Sequence, residues 1–384
     1  MKKRFLTEIL LTPQQQDKFF KTKGTCRFVY NMFLAQNQEW YNQGKKYMSA
    51  KAFSVWLNNE YIPNNPDKAW IKDAYSKAVK QSLENAHMAY TRFFKGESKF
   101  PKFKKKGKNE PKMYFVKNNK TDCICERHRI KIPFLGWVQL KEKGYIPTTK
   151  DGYTVSSGTI DYVAGKFYVS ALVDVPDKKE TNSTNEGIGI DLGIKDLAIV
   201  SNGSTYKNIN KTARVKKLEK KLKREQRKLS RKYENKKKGG VTQSKNIQKQ
   251  IEVVQKIHHT LANIRDNYIK TTVNEIVKTK PSYVTIEDLN ISGMMKNRHL
   301  AKAVQQQKFY QFRQVLTQKC KENGIELRVV DRRFPSSKIC NCCGQIKKDL
   351  KLSDRIYKCD CGYTEDRDFN ASLNLRDATI YEVA

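Results

Sequence analysis

Five cysteines crowd into the 22 residues from Cys340 to Cys361. Four of them form two short-spaced pairs, Cys340-x2-Cys343 and Cys359-x-Cys361, with fifteen residues between. Thiolates at such spacing close around tetrahedral zinc as a ribbon-like structural site. Gly344 and Gly362 each follow a pair, where metal knuckles often carry glycine. The second pair is one residue shorter than the commoner x2 spacing, which leaves Cys342 as the alternative to Cys361. Cysteines placed this way speak for metal-bound thiolates in a reducing cytoplasm rather than for disulfides. The basic N-terminus MKKRFLTEILL has an apolar run too short and too broken for a signal segment. Cys26 and Cys320 lie in apolar stretches and read as core, and Cys123 and Cys125 read as strand residues.

The chain as a whole is strongly basic. Its 384 residues carry 76 Lys and Arg against 39 Asp and Glu, a net charge of +37. Such a charge repels itself unless a polyanion neutralises it, and nucleic acid is the natural one. The length allows two or three domains. A hydrophobic fraction of 38% lies above that of fully disordered chains, and no stretch approaches a membrane span.

Residues 2–12 read as a strand and 13–95 as helices, with Val79, Leu83, Ala86, Tyr90 and Phe93 on one stripe. The segment KFPKFKKKGKNEPKM (99–113) is a basic loop, and its Lys102, Phe103, Lys104 and Lys105 suit phosphate contact with aromatic stacking. Strand-like alternation over 114–180 predicts an antiparallel sheet or small barrel. A polar linker follows at 173–186. From Gly187 the pattern is strand, turn, strand. Two long helices then pair as a hairpin. Val215, Leu218, Leu222, Leu229 and Tyr233 mark one arm of its apolar seam, and Ile247, Ile251, Val254, Ile257, Leu261, Ile264 and Tyr268 the other. The outer face is heavily basic and has few acids to pair with, which suits a nucleic-acid track. A strand at PSYVTIEDLN, one helix over 300–322 and a strand at IELRVV lead into the cysteine segment. The last helix starts near Asp368.

Three acids draw attention. Asp191 shares a strand face with Gly189 and Gly193, so nothing bulky stands beside it. Glu287 ends the run YVTIE, and a carboxylate among apolar residues calls for a cation or an ion pair. Asp366 and Asp368 open the last helix, where acids favour the positive end of the dipole. Asn370 and Asn374 continue from Asp368 as a polar stripe. Each signal alone is weak. A strand Asp inside a hairpin, a later strand Glu and an Asp on a late helix have the layout of RNase H-like nucleases. In such sites carboxylates hold two divalent cations about 4 Å apart, and hard oxygen donors suit Mg²⁺.

GIDLGIKDLAIVSNG, VTIEDLNISGM, RFPSSKICNCCG and CGYTEDRDFNASLNL resemble, in order and spacing, the RuvC and zinc-finger blocks of TnpB proteins. These are the insertion-sequence-encoded ancestors of type V CRISPR effectors. The resemblance covers about residues 187–378 by motif and the N-terminal half in character. It implies a multidomain α/β protein. An RNase H-like RuvC nuclease domain with an inserted helical hairpin and a zinc ribbon is preceded by a β-barrel wedge domain with a helical recognition insertion. The implied boundaries are 1–12 for the first wedge strand, 13–98 for the recognition helices and 99–180 for the wedge barrel. The RuvC domain follows at 181–335 with its hairpin at about 211–277, then the zinc finger at 336–364 and the final RuvC helix and tail at 365–384.

The implied activity is RNA-guided cleavage of DNA. A transposon-derived guide RNA pairs with target DNA beside a short adjacent motif, and the RuvC site cuts by two-metal hydrolysis. Carried over by motif, Asp191, Glu287 and Asp368 are the catalytic acids and hold two Mg²⁺, with Asp366 the alternative to Asp368. Cys340, Cys343, Cys359 and Cys361 hold one Zn²⁺. Ser372 in NAS, where Ala is more usual, is a mild departure. Three alternatives stand beside this: a nuclease-silent RNA-guided DNA-binding repressor, a compact type V CRISPR effector with another guide source, and a transposase that joins strands. No acid is missing, which weighs against the first, and the guide-binding resemblance weighs against the last.

Overall fold

The computed structural model describes residues 1–176, 186–239, 244–351 and 354–384. Most of the expected linker at 173–186 and the turn of the helical hairpin lie outside the described residues. The chain divides into two compact units, Met1–Pro176 and Asp177–Ala384.

The first unit combines one antiparallel sheet with a helical layer. β1 (Lys2–Leu10) runs into α1 (Pro13–Asn42), which opens on a capping box. Gln15 N donates to Thr12 Oγ1 at 3.3 Å, and Thr12 N donates to Gln15 Oε1 at 3.0 Å. Pro13 is tolerated beside it because a first-turn N–H has no helical acceptor. α2 (Ala50–Trp56), α3 (Ile62–Asn64) and α4 (Ser76–Phe94) complete the layer. The stripe expected on α4 is buried at Val79, Leu83, Ala86 and Tyr90. Ser82 Oγ and Tyr90 OH donate to the α1 carbonyls of Cys26 and Leu34 at 2.7 and 3.1 Å. The strands β2 (Met113–Val116), β3 (Arg129–Ile132), β4 (Gly136–Leu140), β5 (Thr154–Val163) and β6 (Lys166–Asp174) join β1 in the order β2-β5-β6-β1-β4-β3. Alternation along β6 buries Phe167, Val169, Ala171 and Val173. Among the described residues the edge strands β2 and β3 do not pair, so of the antiparallel sheet or small barrel expected the structure shows an open antiparallel sheet, a half-barrel. Each edge strand is four residues long, too short to carry a ladder around. Cys123 and Cys125 are buried but lie outside the named strands, Cys123 with φ +56°.

The second unit is built on a mixed sheet. β7 (Ile188–Leu192), β8 (Asp196–Val200), β9 (Thr205–Lys207), β10 (Tyr283–Glu287) and β11 (Glu326–Val330) are its main strands. β7, β10 and β11 run parallel at its centre, and antiparallel pairs complete both sides. Central parallel strands are covered on both faces: Ile188, Ile190, Val284, Ile286, Leu327 and Val329 are buried on one, and Gly189 and Thr285 on the other.

The hairpin of α5 (Ala213–Lys237) and α6 (Ser244–Lys278) stands between β9 and β10. Its seam is apolar near the base, where Val215, Ile257 and Leu261 cluster, and Val254 and Ile247 stay buried farther out, although Tyr233 is exposed. A polar lock is set within it: buried Glu225 accepts from Gln250 Nε2 at 2.9 Å and from Lys228 Nζ at 3.1 Å. α7 (Ile291–Met294) follows β10. The single helix expected over 300–322 is two, α8 (Ala301–Gln307) and α9 (Phe309–Asn323), broken at Lys308 with φ +55°. The Lys308 ammonium pairs with Asp266 on α6, which holds the break in place. β12 (Ile356–Lys358) and β13 (Thr364–Asp366) form a two-stranded ribbon, α10 (Arg367–Arg376) packs on β7, and β14 (Glu382–Val383) edges the main sheet beside β11. Among the described residues no helix is long and apolar enough to cross a membrane.

Candidate functional site

The Sγ atoms of Cys340, Cys343, Cys359 and Cys361 all lie within 4.8 Å of one another. Cys340 and Cys361 are 3.7 Å apart, Cys343 and Cys359 3.6 Å. Tetrahedral zinc with Zn–S bonds of about 2.3 Å spaces its sulfurs by about 3.8 Å, so the donor set fits that ion. The short second pair works because the chain turns back directly after it, with Gly362 at φ +88° and its N–H bonded to Cys359 O at 3.0 Å. Cys342 is exposed and outside the group, so the fourth thiol is that of Cys361. Burial would raise the Cys340 thiol, but backbone N–H groups of Cys343 and Cys342 draw it down to about 7. That favours the thiolate a metal requires.

Asp191 lies near the end of β7, Glu287 ends the neighbouring parallel strand β10, and Asp368 sits in the first turn of α10. Burial pushes Asp191 up to about 7, and the charges of Asp368 and Glu287 add to the effect. Glu287 is likewise pushed up to about 7, by burial and then by Asp288. Asp191 thus feels the charges of both Asp368 and Glu287, a repulsion that a cation would relieve. They are less tightly grouped than the thiols: among the described residues only the four cysteines place three or more ligand atoms within 4.8 Å. Asp368 Oδ1 accepts from Arg367 Nε and Nη2 at 3.1 and 2.9 Å, and Arg355 of the ribbon stands 3.8 Å from Oδ2. Asp366 is spent as the helix cap, its Oδ1 accepting from the N–H groups of Asp368 and Phe369 at 2.9 and 3.1 Å. Nothing local in the sequence marks Arg355 among so many basic residues.

Gly189 explains how α10 reaches β7. A Cβ there would lie 2.1 Å from Ser372 O and 2.4 Å from Arg376 N, so only glycine permits the approach. The polar stripe on α10 faces inward and lashes the cysteine knuckle to the helix. Asn370 Nδ2 donates to Ile339 O at 2.8 Å, and Asn374 Nδ2 to Ser336 O and Ile339 O at 2.8 and 2.7 Å. Asn341 N returns a bond to Asn370 Oδ1 at 3.2 Å. One helix thus carries Asp368 at its start and the metal ribbon along its side.

The basic segment belongs to the first unit. Lys102, Phe103 and Lys105 are exposed, and Lys104 is half-buried. Asn31 on α1 pins the Lys104 backbone from both sides, donating to its carbonyl at 2.9 Å and accepting from its N–H at 2.7 Å. Phe100 packs edge-on against Phe93 with ring centres 5.3 Å apart, while Phe103 stays 48% exposed. Phe100 is nonetheless 46% exposed, so both aromatics of this segment are offered outward.

Residues 309–375 match the family model described as Cas12f1-like, TNB domain, and residues 170–298 match one described as a probable transposase. Residues 1–46 match a helix-turn-helix model, although the chain there is one strand and one unbroken helix through Asn42. A relative from Escherichia coli (strain K12), “Putative RNA-guided DNA endonuclease InsQ”, is 30% identical over 94% of this chain and 88% of its own. A Streptomyces pristinaespiralis protein described as “Putative RNA-guided DNA endonuclease” is 29% identical over 99% of this chain and 90% of its own. The “CRISPR-associated endodeoxyribonuclease Cas12f1” of Sulfoacidibacillus thermotolerans is 27% identical over 60% of this chain and 55% of its own. Among solved structures, the protein of the Cas12f1-sgRNA-target DNA complex aligns with a TM-score of 0.61 at 16% identity, covering 96% of this chain and 84% of that one. That likeness is one of fold.

Proposed function

The chain belongs to the TnpB family, and from that premise we propose that it is a Mg²⁺-dependent, RNA-guided DNA endonuclease with Asp191, Glu287 and Asp368 as its catalytic acids. The observation that carries the site is the proton affinity of Asp191, raised by burial and by the charges of Asp368 and Glu287. A cluster of like charges costs stability, and clusters of this kind mark functional sites where a cation is the intended partner.

Two bound Mg²⁺ would supply the activated water and the stabilisation of the departing oxygen. Asp191 and Glu287, on adjacent parallel strands, offer oxygens from a rigid base, and Asp368 joins them from a helix whose approach Gly189 sets. Arg367 and Arg355 hold the Asp368 carboxylate and offset its charge. Cys340, Cys343, Cys359 and Cys361 would hold one Zn²⁺, which fixes the ribbon carrying Arg355 and buttresses α10. Guide RNA pairs with the target strand, so the protein's own task is to grip backbone phosphates. The basic outer face of the hairpin and Lys102, Phe103, Lys104 and Lys105 are assigned to it. Residues 1–12 and 99–180 would form the wedge around the recognition helices at 13–98. Residues 181–335 and 365–384 would form the RuvC fold, with the zinc finger at 336–364 between them.

The test is to sequence the RNA that co-purifies with the protein, program that RNA against a chosen target and assay cleavage. Asp191→Ala should bind guide and target as the parent does and fail to cut. A variant that cuts at the parent rate defeats the assignment.

A further inference from the structure

Asp191 leads directly into the turn Gly193–Lys195, whose carbonyl oxygens are held by side chains from elsewhere in the unit. Gln307 Nε2 donates to Gly193 O at 3.0 Å and to Ile194 O at 3.3 Å. Asn208 Nδ2 donates to Ile194 O at 2.7 Å, and Lys211 Nζ to Lys195 O at 3.0 Å. Within the turn, the Gly193 N–H reaches Leu197 O only at 3.3 Å.

Gln307 is the most buried of the three, 2% exposed against 9% for Asn208. It is the last residue of α8, directly before the left-handed Lys308, so the break between α8 and α9 delivers its amide to the turn. Its Oε1 lies 3.5 Å from Asn210 Nδ2. Asn210 accepts from Arg265 Nε at 2.7 Å, and Glu219 accepts from both Arg265 and Gln306 at 2.9 and 2.6 Å. This network fixes the surroundings of Gln307. Burying an amide costs free energy unless its hydrogen bonds are made, and here its donor end is spent on the turn that follows Asp191.

We propose that Gln307 is a positioning residue for the nuclease site: its buried amide fixes the Gly193–Ile194 turn and thereby the placement of the Asp191 carboxylate. The proposal rests on the nuclease reading given above. Outer partners of metal ligands typically change metal affinity by about 10–100-fold when removed.

Gln307→Met keeps the volume and removes both donors. Mn²⁺ binding to the zinc-loaded protein without nucleic acid, read by electron paramagnetic resonance, should weaken about tenfold. The Mg²⁺ concentration for half-maximal cleavage should rise by a similar factor, with the rate at saturating Mg²⁺ largely recovered. Hydrogen exchange across residues 190–200 should quicken, and RNA loading should be unchanged. Gln307→Glu sets a carboxylate oxygen against the same two carbonyls and should weaken Mn²⁺ binding further; it serves as the test if the Met variant does not fold. A folded variant with parental Mn²⁺ affinity and parental exchange overturns the proposal. So does a lowered Tm with unchanged metal dependence, which marks a merely structural role. If the parent shows no Mn²⁺ site that Asp191→Ala removes, the nuclease reading falls, and the proposal with it.

Discussion

The backbones of Gly189 and Ser372 meet so closely that a methyl group on the glycine would lie 2.1 Å from the serine carbonyl oxygen. This contact joins the strand bearing Asp191 to the helix bearing Asp368.

Gly189→Ala should therefore lower stability by about 1–3 kcal/mol, the usual cost of overpacking. Cleavage should fall with it, because both clashing partners are backbone and the helix must retreat. Chemical denaturation and a cleavage assay read the two effects, and a variant that is stable and fully active would contradict the contact's role.

Asp191→Asn should abolish cleavage yet stabilise the protein stripped of divalent cations. The parent carboxyl is pushed up from 3.8 to about 7. The folded state thus binds the proton more tightly than the unfolded state, and the parent loses stability as pH rises through that interval. At pH 8 the variant should be ahead by about 1 kcal/mol or more. Adding Mg²⁺ should reverse the order, since it stabilises only the protein that binds it. Tm measured with and without chelator decides the matter.

Cys342→Ser should leave one zinc per chain, and Cys361→Ser should lose it, because only the latter thiol joins the four-sulfur group. Loss of zinc should also lower cleavage, since Asn370 and Asn374 tie the knuckle to the helix of Asp368. Elemental analysis of both variants checks the ligand choice.

Glu8→Gln tests the first sheet. Burial opposes the Glu8 carboxylate, but hydrogen bonds from Lys166 and Lys141 outweigh it and hold its pKa below 4.5. The stabilisation is then present above pH 4.5 and disappears as pH falls through the lowered value. Both lysines are half-exposed, so the variant should lose no more than about 1 kcal/mol at neutral pH. Urea titrations should show the two proteins converging in acid; a gap that widens in acid would refute the ion pairs.

Much of the site was legible in the sequence. The four thiols sit at ligand spacing within one short segment, so local chain geometry alone brings them near each other. Of the two glycines that leave nothing bulky beside Asp191, Gly189 is the one α10 approaches, while Gly193 meets only Asp196 O of its own turn. The helix break at Lys308 was not legible, because its partner Asp266 is distant in the chain and a lysine carries no signal for a left-handed residue. The Glu225–Gln250 lock was hidden for a similar reason: both residues look like ordinary surface positions of a charged helix.

Periodicity, ligand spacing and charge are properties of neighbouring residues, and they set most of the elements, the cysteine segment and the polyanion partner without reference to the fold. Tertiary structure alone decided that the first sheet stays open, that the charge of Asp368 bears on Asp191, and that Gln307 holds the turn after Asp191. Each of these depends on which distant group a polar atom meets once it leaves water, and a linear pattern does not record that meeting.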